Sequence, residues 1–387
     1  MRILINTVST KKHSGGAFQI ANNFIRKSLE HPEVEWIYVV SSDLDVILPE
    51  EMKGRGNYHV FPTQPDFKGS YKRVKQALKA LEQNINPDVV YSITAPSYFS
   101  FERPEVMRFT NPLVAHPNKY SWKVQPLMAK IRLMAYCWNQ KRLIKNARYF
   151  VTQTETTKQG IMRITGLPSK NVCVVNNVLP AAFANQDTSH IDTGEDWIDI
   201  ACVGAPVPHK NFDILPDVIL GLNKRGINNV RFHTTIPEDL PIWKVISSRL
   251  KSNDIEKHLV NHGRVTQAEL AEIYRRCEYA YLPTLLEVFS ASTVEAMYFD
   301  LKIVATDFGF NREVLGDACL YYEPMNASDA AAKFDELIHN QELQKVFSDR
   351  MKKQLSKYDN YDKHFNAIVD FLKNVANNNK KNNYVSI

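Results

Sequence analysis

The chain has 387 residues, 44% of them hydrophobic and 23% charged, and carries a formal charge of +6. That length and mixture belong to a soluble globular protein of about two domains. No run approaches the roughly 18 consecutive apolar residues of a membrane span, and so modest a positive charge, with no recognition motif, argues against a nucleic-acid partner.

Taken in chain order, apolar runs of strand length alternate with helical periodicity almost throughout, which predicts α/β layers with parallel sheets. The sequence opens directly as a strand at 2–6, so no signal peptide is expected. Residues 8–18 (VSTKKHSGGAF) then lead into an amphipathic helix. Gly15 and Gly16 there let the backbone bend and approach a ligand closely, although an ordinary strand-to-helix turn uses the same residues. Further strands are expected at 36–41, 58–61, 88–92, 106–110 and 149–153. An acidic, polar stretch at 181–197 reads as an interdomain linker. The pattern restarts with strands at 198–204, 230–234, 258–261, 279–283 and 302–306. Gly263 follows one of these strands and precedes Thr266-Gln-Ala-Glu269, a capping box that opens the next helix. A closing helix is expected at 360–376, and the tail 377–387 (NNNKKNNYVSI) reads as disordered. The predicted domains are therefore 1–180 and 198–359. Five scattered cysteines, Cys137, Cys173, Cys202, Cys277 and Cys319, form no C-x-x-C pair. They read as small buried hydrophobes in a reducing cytoplasm, neither a disulfide frame nor a zinc site.

The densest signal lies at 279–324. A short apolar strand runs into a small-residue turn carrying Glu287, and a helix starts near Ala291 with Glu295 in its first turns. Strand, turn and helix N-terminus together present backbone N–H groups and a positive dipole end to an anion such as a phosphate. Carboxylates on either side suit sugar hydroxyls. Glu287-Val-Phe-Ser-Ala-Ser-Thr-Val-Glu295 resembles the E-x7-E motif of the retaining glycosyltransferases of the GT4 family, whose fold is GT-B. Residues 301–313 (LKIVATDFGFNRE) resemble that family's next segment, and Gly316-Asp317-Ala318 followed by Tyr321-Tyr322-Glu323-Pro324 resembles the one after it.

The resemblance implies two Rossmann-like domains with parallel sheets facing across a cleft, the closing helix crossing back to complete the first. It implies that Glu295 accepts from ribose hydroxyls and that Glu287 binds the donor sugar and stabilises an oxocarbenium-like transition state. The N–H groups of Ser290, Ala291 and Ser292, beside Phe289, would hold the departing diphosphate with Lys210. Ser290 stands where the family commonly has glycine. Residues 201–212 resemble the family's V-G-R-L…K-G loop, with Gly204 and Lys210 matched but Ala205 where an arginine is usual. The missing cation costs stabilisation of a leaving diphosphate, and His209 or Arg264 are its candidate replacements. The loop 262–265, with Gly263 and Arg264, takes the place of the family's base-binding loop. The family histidine of the first domain falls on Thr110, Asn111 or, after a shift, His116, which is taken as the catalytic candidate beside Glu287. Gly15 and Gly16 match the family loop that lies against the donor pyrophosphate and the acceptor. No metal or other cofactor is implied.

A feature outside the resemblance is the charge pattern of 106–154. That stretch holds no Asp or Glu but nine cations: Arg108, Lys119, Lys123, Lys130, Arg132, Lys141, Arg142, Lys145 and Arg148. Tyr120, Trp122, Tyr136 and Trp138 are interleaved with them. Such a segment, centred on 118–148, fits a surface meeting anionic lipid headgroups, or equally a helix with a solvated basic side. The reading of the whole is a metal-independent retaining hexosyltransferase that uses a nucleoside-diphosphate sugar. It would serve O-antigen, capsule or lipopolysaccharide synthesis in the cytoplasm, at the inner face of the plasma membrane. The alternatives are a GT-B-fold nucleotide-sugar epimerase and a non-catalytic nucleotide-sugar-binding scaffold.

Overall fold

A computed structural model describes every residue except 13–15, 63–69, 146, 181, 182, 184, 185, 359 and 385–387, and the side chains of all but 380–384 among the rest. The chain divides into two compact units. Residues 1–116, 132–176 and those from 362 onward form the first, and residues 117–131 and 177–361 the second.

The first unit is built on strands β1 (Arg2–Asn6), β2 (Glu35–Ser41), β3 (Tyr58–Phe61), β4 (Val89–Ser92), β5 (Glu105–Arg108), β6 (Tyr149–Thr152) and β7 (Val172–Val174). They pair in the order β3-β2-β1-β4-β5-β6-β7, all parallel. Helices cover both faces of a parallel sheet, so its strands are continuous apolar runs, not alternating ones. The period of two survives in which core each side chain enters. Ile3 and Ile5 join one cluster with Phe24 and Val40, whereas Leu4 and Val8 join the opposite one with Val39 and Val90. The last helix, Tyr361–Tyr384, packs Phe365, Ile368, Val369, Leu372, Val375 and Ala376 into the first of these clusters. Their spacing is that of a single helical stripe.

The second unit holds β8 (Ile198–Ala201), β9 (Val230–Thr234), β10 (Leu259–Asn261), β11 (Tyr279–Leu282), β12 (Lys302–Thr306) and β13 (Leu320–Tyr322). Their order is β10-β9-β8-β11-β12-β13, again all parallel. Tyr279 and Tyr281 face one core, Ala280 and Leu282 the other. In each sheet the order reverses beside the first strand, at β1/β4 and at β8/β11. In open α/β sheets the ligand crevice lies at the carboxyl ends of strands at such a reversal.

Differences from the sequence expectations have local causes. Strands β7 and β13, of three residues each, were not foreseen. The strand expected at 106–110 ends at Arg108. The closing helix continues to Tyr384, through most of the tail expected to be disordered, while 385–387 lie outside the described residues. A helix nucleated by its packed turns extends at one hydrogen bond per residue, and 377–384 contains no Gly or Pro to stop it. The units divide at 176/177, ahead of the acidic stretch expected as a linker. Where described, that stretch is tied to the second unit: Asp187 pairs with Arg275 (2.6 Å), Glu195 with Arg231 (2.7 Å), and Trp197 lies edge-on to His258. Carboxylates that read as solvated linker have found arginines.

Candidate functional site

The loops leaving β8 and β11, the strands at the second reversal, come together. β11 is buried along its whole length, and Leu285 and Leu286 sink into the core to anchor the turn that follows. That turn is stitched to its neighbours by the backbone. Leu285 N–H donates to the His209 carbonyl (2.7 Å), Thr306 Oγ1 donates to the Thr284 carbonyl (2.6 Å), and Asn118 Nδ2 donates to the Leu285 carbonyl (2.7 Å). Helix Ala291–Tyr298 begins at Ser290, whose side chain makes no cap bond to it. The first amides of a helix lack intrahelical partners, so this terminus presents donors.

Lys210 crosses from the β8 loop to this turn. Its Nζ lies 2.7 Å from Glu287 Oε2 and donates to Ser290 Oγ at 3.2 Å, while Ser290 Oγ and Ser292 Oγ are 2.9 Å apart. The Lys210 and Glu287 side chains retain only 11% and 21% of their exposure, so the pair is shielded without being closed off. Burial pushes the Glu287 carboxyl up, but the charge and hydrogen bond of Lys210 outweigh it and hold Glu287 below the ordinary carboxylate range. Burial pushes the His209 imidazole down, leaving it neutral near pH 7. The result is a charged Glu287 beside a charged Lys210, at a helix N-terminus.

Glu295 lies one helical turn deeper and is 7% exposed. Tyr274 donates its hydroxyl to Glu295 Oε2 (2.8 Å). Burial raises the Glu295 carboxyl above its usual range, against the pull of Tyr274 and Lys210. Phe289 is core, its ring packed edge-on against Tyr358, and Ala291 is exposed at the first position of the helix. Gly204 has φ +148, a conformation L side chains rarely adopt, and its N–H reaches Thr235 Oγ1 at 3.3 Å. Ala205 is exposed. Neither candidate replacement for the missing arginine takes its place as a cation here: His209 is neutral, and Arg264 is an exposed residue whose guanidinium bonds both Asp239 oxygens (3.1 and 3.0 Å).

Three features of this unit escaped the sequence reading. Asn211 sits in the left-handed region (φ +58), 2% exposed, with Nδ2 buried and without a hydrogen-bond partner directly after Lys210. Tyr274, the partner of Glu295, comes from the helix that the Thr266–Glu269 capping box opens, but nothing in that motif marks the tyrosine itself. A polar relay leads to Gly263 (φ +66). Arg231 grips Asp199 through Nε (2.7 Å) and Nη2 (2.9 Å), Asp199 Oδ1 meets His233 Nε2 (2.8 Å), and His233 Nδ1 meets His262 Nε2 (2.9 Å). An ionised Asp199 accepts from His233 Nε2–H, and the tautomers of the two rings set which donates in the His233–His262 contact. Asp199 is far in sequence from Arg231 and His233, and only β8–β9 register aligns them.

In the first unit, Gly15 lies outside the described residues. Gly16 opens helix Gly16–Ser28, exposed, with nothing near enough to obstruct a Cβ. His116 follows the short helix Pro112–Ala115, half-buried, with Nε2 3.3 Å from Thr157 Oγ1. It therefore belongs to the first unit and Glu287 to the second. Thr110 and Asn111 lie in the turn beyond β5, where Asn111 caps that short helix and donates Nδ2–H to Gln140 Oε1 (2.7 Å). Among the described residues no three His, Cys, Asp or Glu side chains come together as a metal ligand set.

Residues 187–354, a span that includes Gly204, Lys210, Gly263, Glu287 and Glu295, match the family model of glycosyl transferases group 1. No curated protein matches the chain in sequence at a significant level. Among solved structures, the chain is similar to HepE (Alr3699) of Anabaena in complex with UDP and glucose, at 15% identity, TM-score 0.67, over 98% of this chain and 100% of that one. It is similar to a glycosyltransferase of Rickettsia africae at 12% identity, TM-score 0.70, over 97% and 98%. It is also similar to the lipopolysaccharide outer core galactosyltransferase WaaB in its apo form, at 16% identity, TM-score 0.65, over 96% and 99%. At these identities the likeness is one of fold, and the fold is GT-B: two α/β units on parallel sheets, the second carrying the matched segment.

Proposed function

We propose that the chain is a retaining glycosyltransferase that moves a hexose-type sugar from a nucleoside-diphosphate sugar to a glycan or lipid-linked glycan. The observation that carries this reading is the Lys210–Glu287–Ser290 cluster at an uncapped helix N-terminus, within the segment that matches the glycosyl transferases group 1 model. HepE, solved with UDP and glucose, supports the donor class.

Lys210 and the amides of Ser290, Ala291 and Ser292 hold the departing diphosphate, whose charge grows as the glycosidic bond breaks. An ammonium has three donors, and Glu287 and Ser290 account for two, so Lys210 meets a phosphate oxygen without giving up its partners. Glu287, kept ionised by Lys210, faces the donor sugar and stabilises positive charge at its anomeric carbon. Glu295, positioned by Tyr274, accepts from the ribose hydroxyls. The first unit takes the acceptor, with His116 as its candidate at the reacting centre. The chemistry needs no metal in this scheme, because the helix terminus and Lys210 supply the positive charge. The acceptor class we assign is a growing surface polysaccharide, and the setting the cytoplasm.

One set of observations favours a non-catalytic nucleotide-sugar-binding scaffold. Ala205 removes a cation, His209 is neutral and Arg264 is engaged with Asp239. A thermal-shift panel of UDP, GDP, ADP and CMP and their sugars separates these readings when followed by turnover. A transferase gains several degrees with one diphosphate, less in Glu295→Ala, and consumes the sugar nucleotide only with an acceptor. A scaffold shows the shift and no turnover, and an epimerase converts the sugar nucleotide alone. Absence of any shift rejects the donor site.

A further inference from the structure

Helix Leu127–Ile144 has a buried face and an exposed apolar one. The inner one, Cys137, Gln140 and Ile144, is buried. The outer one, Leu127, Ile131, Met134 and Trp138, recurs at i, i+4, i+7 and i+11 and is 75%, 61%, 60% and 67% exposed. Four large side chains left in water on one helical stripe constitute a patch rather than scattered surface residues. In a helical projection Lys130 and Lys141 border this stripe on one side and Arg142 on the other. The Arg142 guanidinium lies 5.9 Å from the Trp138 ring centroid. No carboxylate occurs anywhere in 106–154, and among the described residues no ion pair holds Lys130, Lys141 or Arg142.

We propose that this outer face docks on an anionic membrane surface, the apolar stripe entering the headgroup boundary and the flanking cations meeting lipid phosphates. Charge complementarity selects that occupant. A second copy of the chain would bring the same cations against each other across a two-fold contact. A nucleic acid would satisfy the cations but leave the stripe in water. A lipid surface satisfies both, and a tryptophan in such a stripe suits the interface. The proposal is independent of the donor site, because lipid binding is measured without nucleotide.

The test is co-sedimentation of the full chain with vesicles of phosphatidylcholine alone and of phosphatidylcholine and phosphatidylglycerol in equal parts, at low and high salt. We expect binding to the anionic vesicles, weakened by salt. Lys141→Gln and Arg142→Gln each weaken it about fivefold. Replacing the four stripe residues by serine abolishes it, with the melting temperature unchanged. As a second measurement, anionic vesicles shift the wild-type tryptophan emission to the blue, and the Trp138→Phe variant, which keeps the apolar surface, loses most of that shift. Failure to bind anionic vesicles, or equal binding to neutral ones at both salts, overturns the proposal. Concentration-dependent self-association lost in the serine variant, without lipid binding, overturns it in favour of a second copy.

Discussion

The two units share one architecture and furnish it differently at the strand ends where their sheets reverse. In the second unit the β8 and β11 loops deliver Lys210, Glu287 and a helix terminus. In the first, beside the exposed Lys11 and Lys12 of the β1 loop, the β1 and β4 ends deliver neutral groups already bonded to each other. Asn6 Nδ2 donates to Ser92 Oγ (3.0 Å), Ser9 Oγ to the Ser97 carbonyl (3.3 Å), and Thr10 and Thr94 share a hydrogen bond (2.7 Å). On the proposed function, fixed charge suits a diphosphate, whereas shape and hydroxyl partners suit an uncharged sugar acceptor. The same scaffold supplies whichever the loops encode.

The comparison is tested most severely where buried charge is structural. Asp199→Ala leaves Arg231 and His233 facing the space of a 2%-exposed carboxylate, and should cost about 3–5 kcal/mol in denaturant unfolding. A loss below about 1 kcal/mol would mean that the relay is solvated and that the second unit's charge is not built into its core.

Next comes the charge at the proposed site. Lys210→Ala should lower sugar transfer about 10²–10³-fold. The counterpart in the first unit is His116→Ala. A fall in kcat of about a hundredfold would place an ionisable participant there and break the contrast. Wild-type kcat with a lowered melting temperature would assign the ring to its contact with Thr157 and sharpen it.

The smallest effect concerns a half-buried acid of the first unit. Glu105 accepts from Ser92, and burial raises its carboxyl to about 7. A carboxyl raised in the folded state contributes stability that is fully present below its ordinary value near 4.5 and is lost as pH rises through about 7. Glu105→Gln has no such loss. Its melting temperature relative to wild type should therefore climb by a few degrees between pH 5 and pH 8, and a flat difference would reject the raised pKa.

Much of the second unit was legible because its information is local. The strand at 279–282, the turn with Glu287 and the helix from Ala291 are consecutive, so alternation, small residues and helix start can be read from one stretch. Lys210 was legible as a loop residue, but its 2.7 Å contact with Glu287 was not, since 77 positions separate the two (287 − 210). Tyr274, Asn211 and the Asp199–His233–His262 relay carry no signal of their own. They gain meaning from β8–β9 register and from burial, which no spacing encodes. His116 was legible only as a residue type plausible for chemistry; its contact with Thr157, 41 positions away, was not.

The sequence by itself determined that alternating apolar runs would form two parallel α/β layers and that a turn and a helix start would follow the strand at 279–282, because hydrophobic period, turn residues and helix starts are short-range properties. Tertiary structure alone decided which charges meet. It paired Lys210 with Glu287, neutralised His209 by burial, drew the acidic stretch at 186–197 onto the second unit and extended the last helix through the expected tail. It also left the Leu127–Trp138 stripe in water. A charge acquires its state, and an apolar side chain its partner or lack of one, only from what the folded chain places beside it.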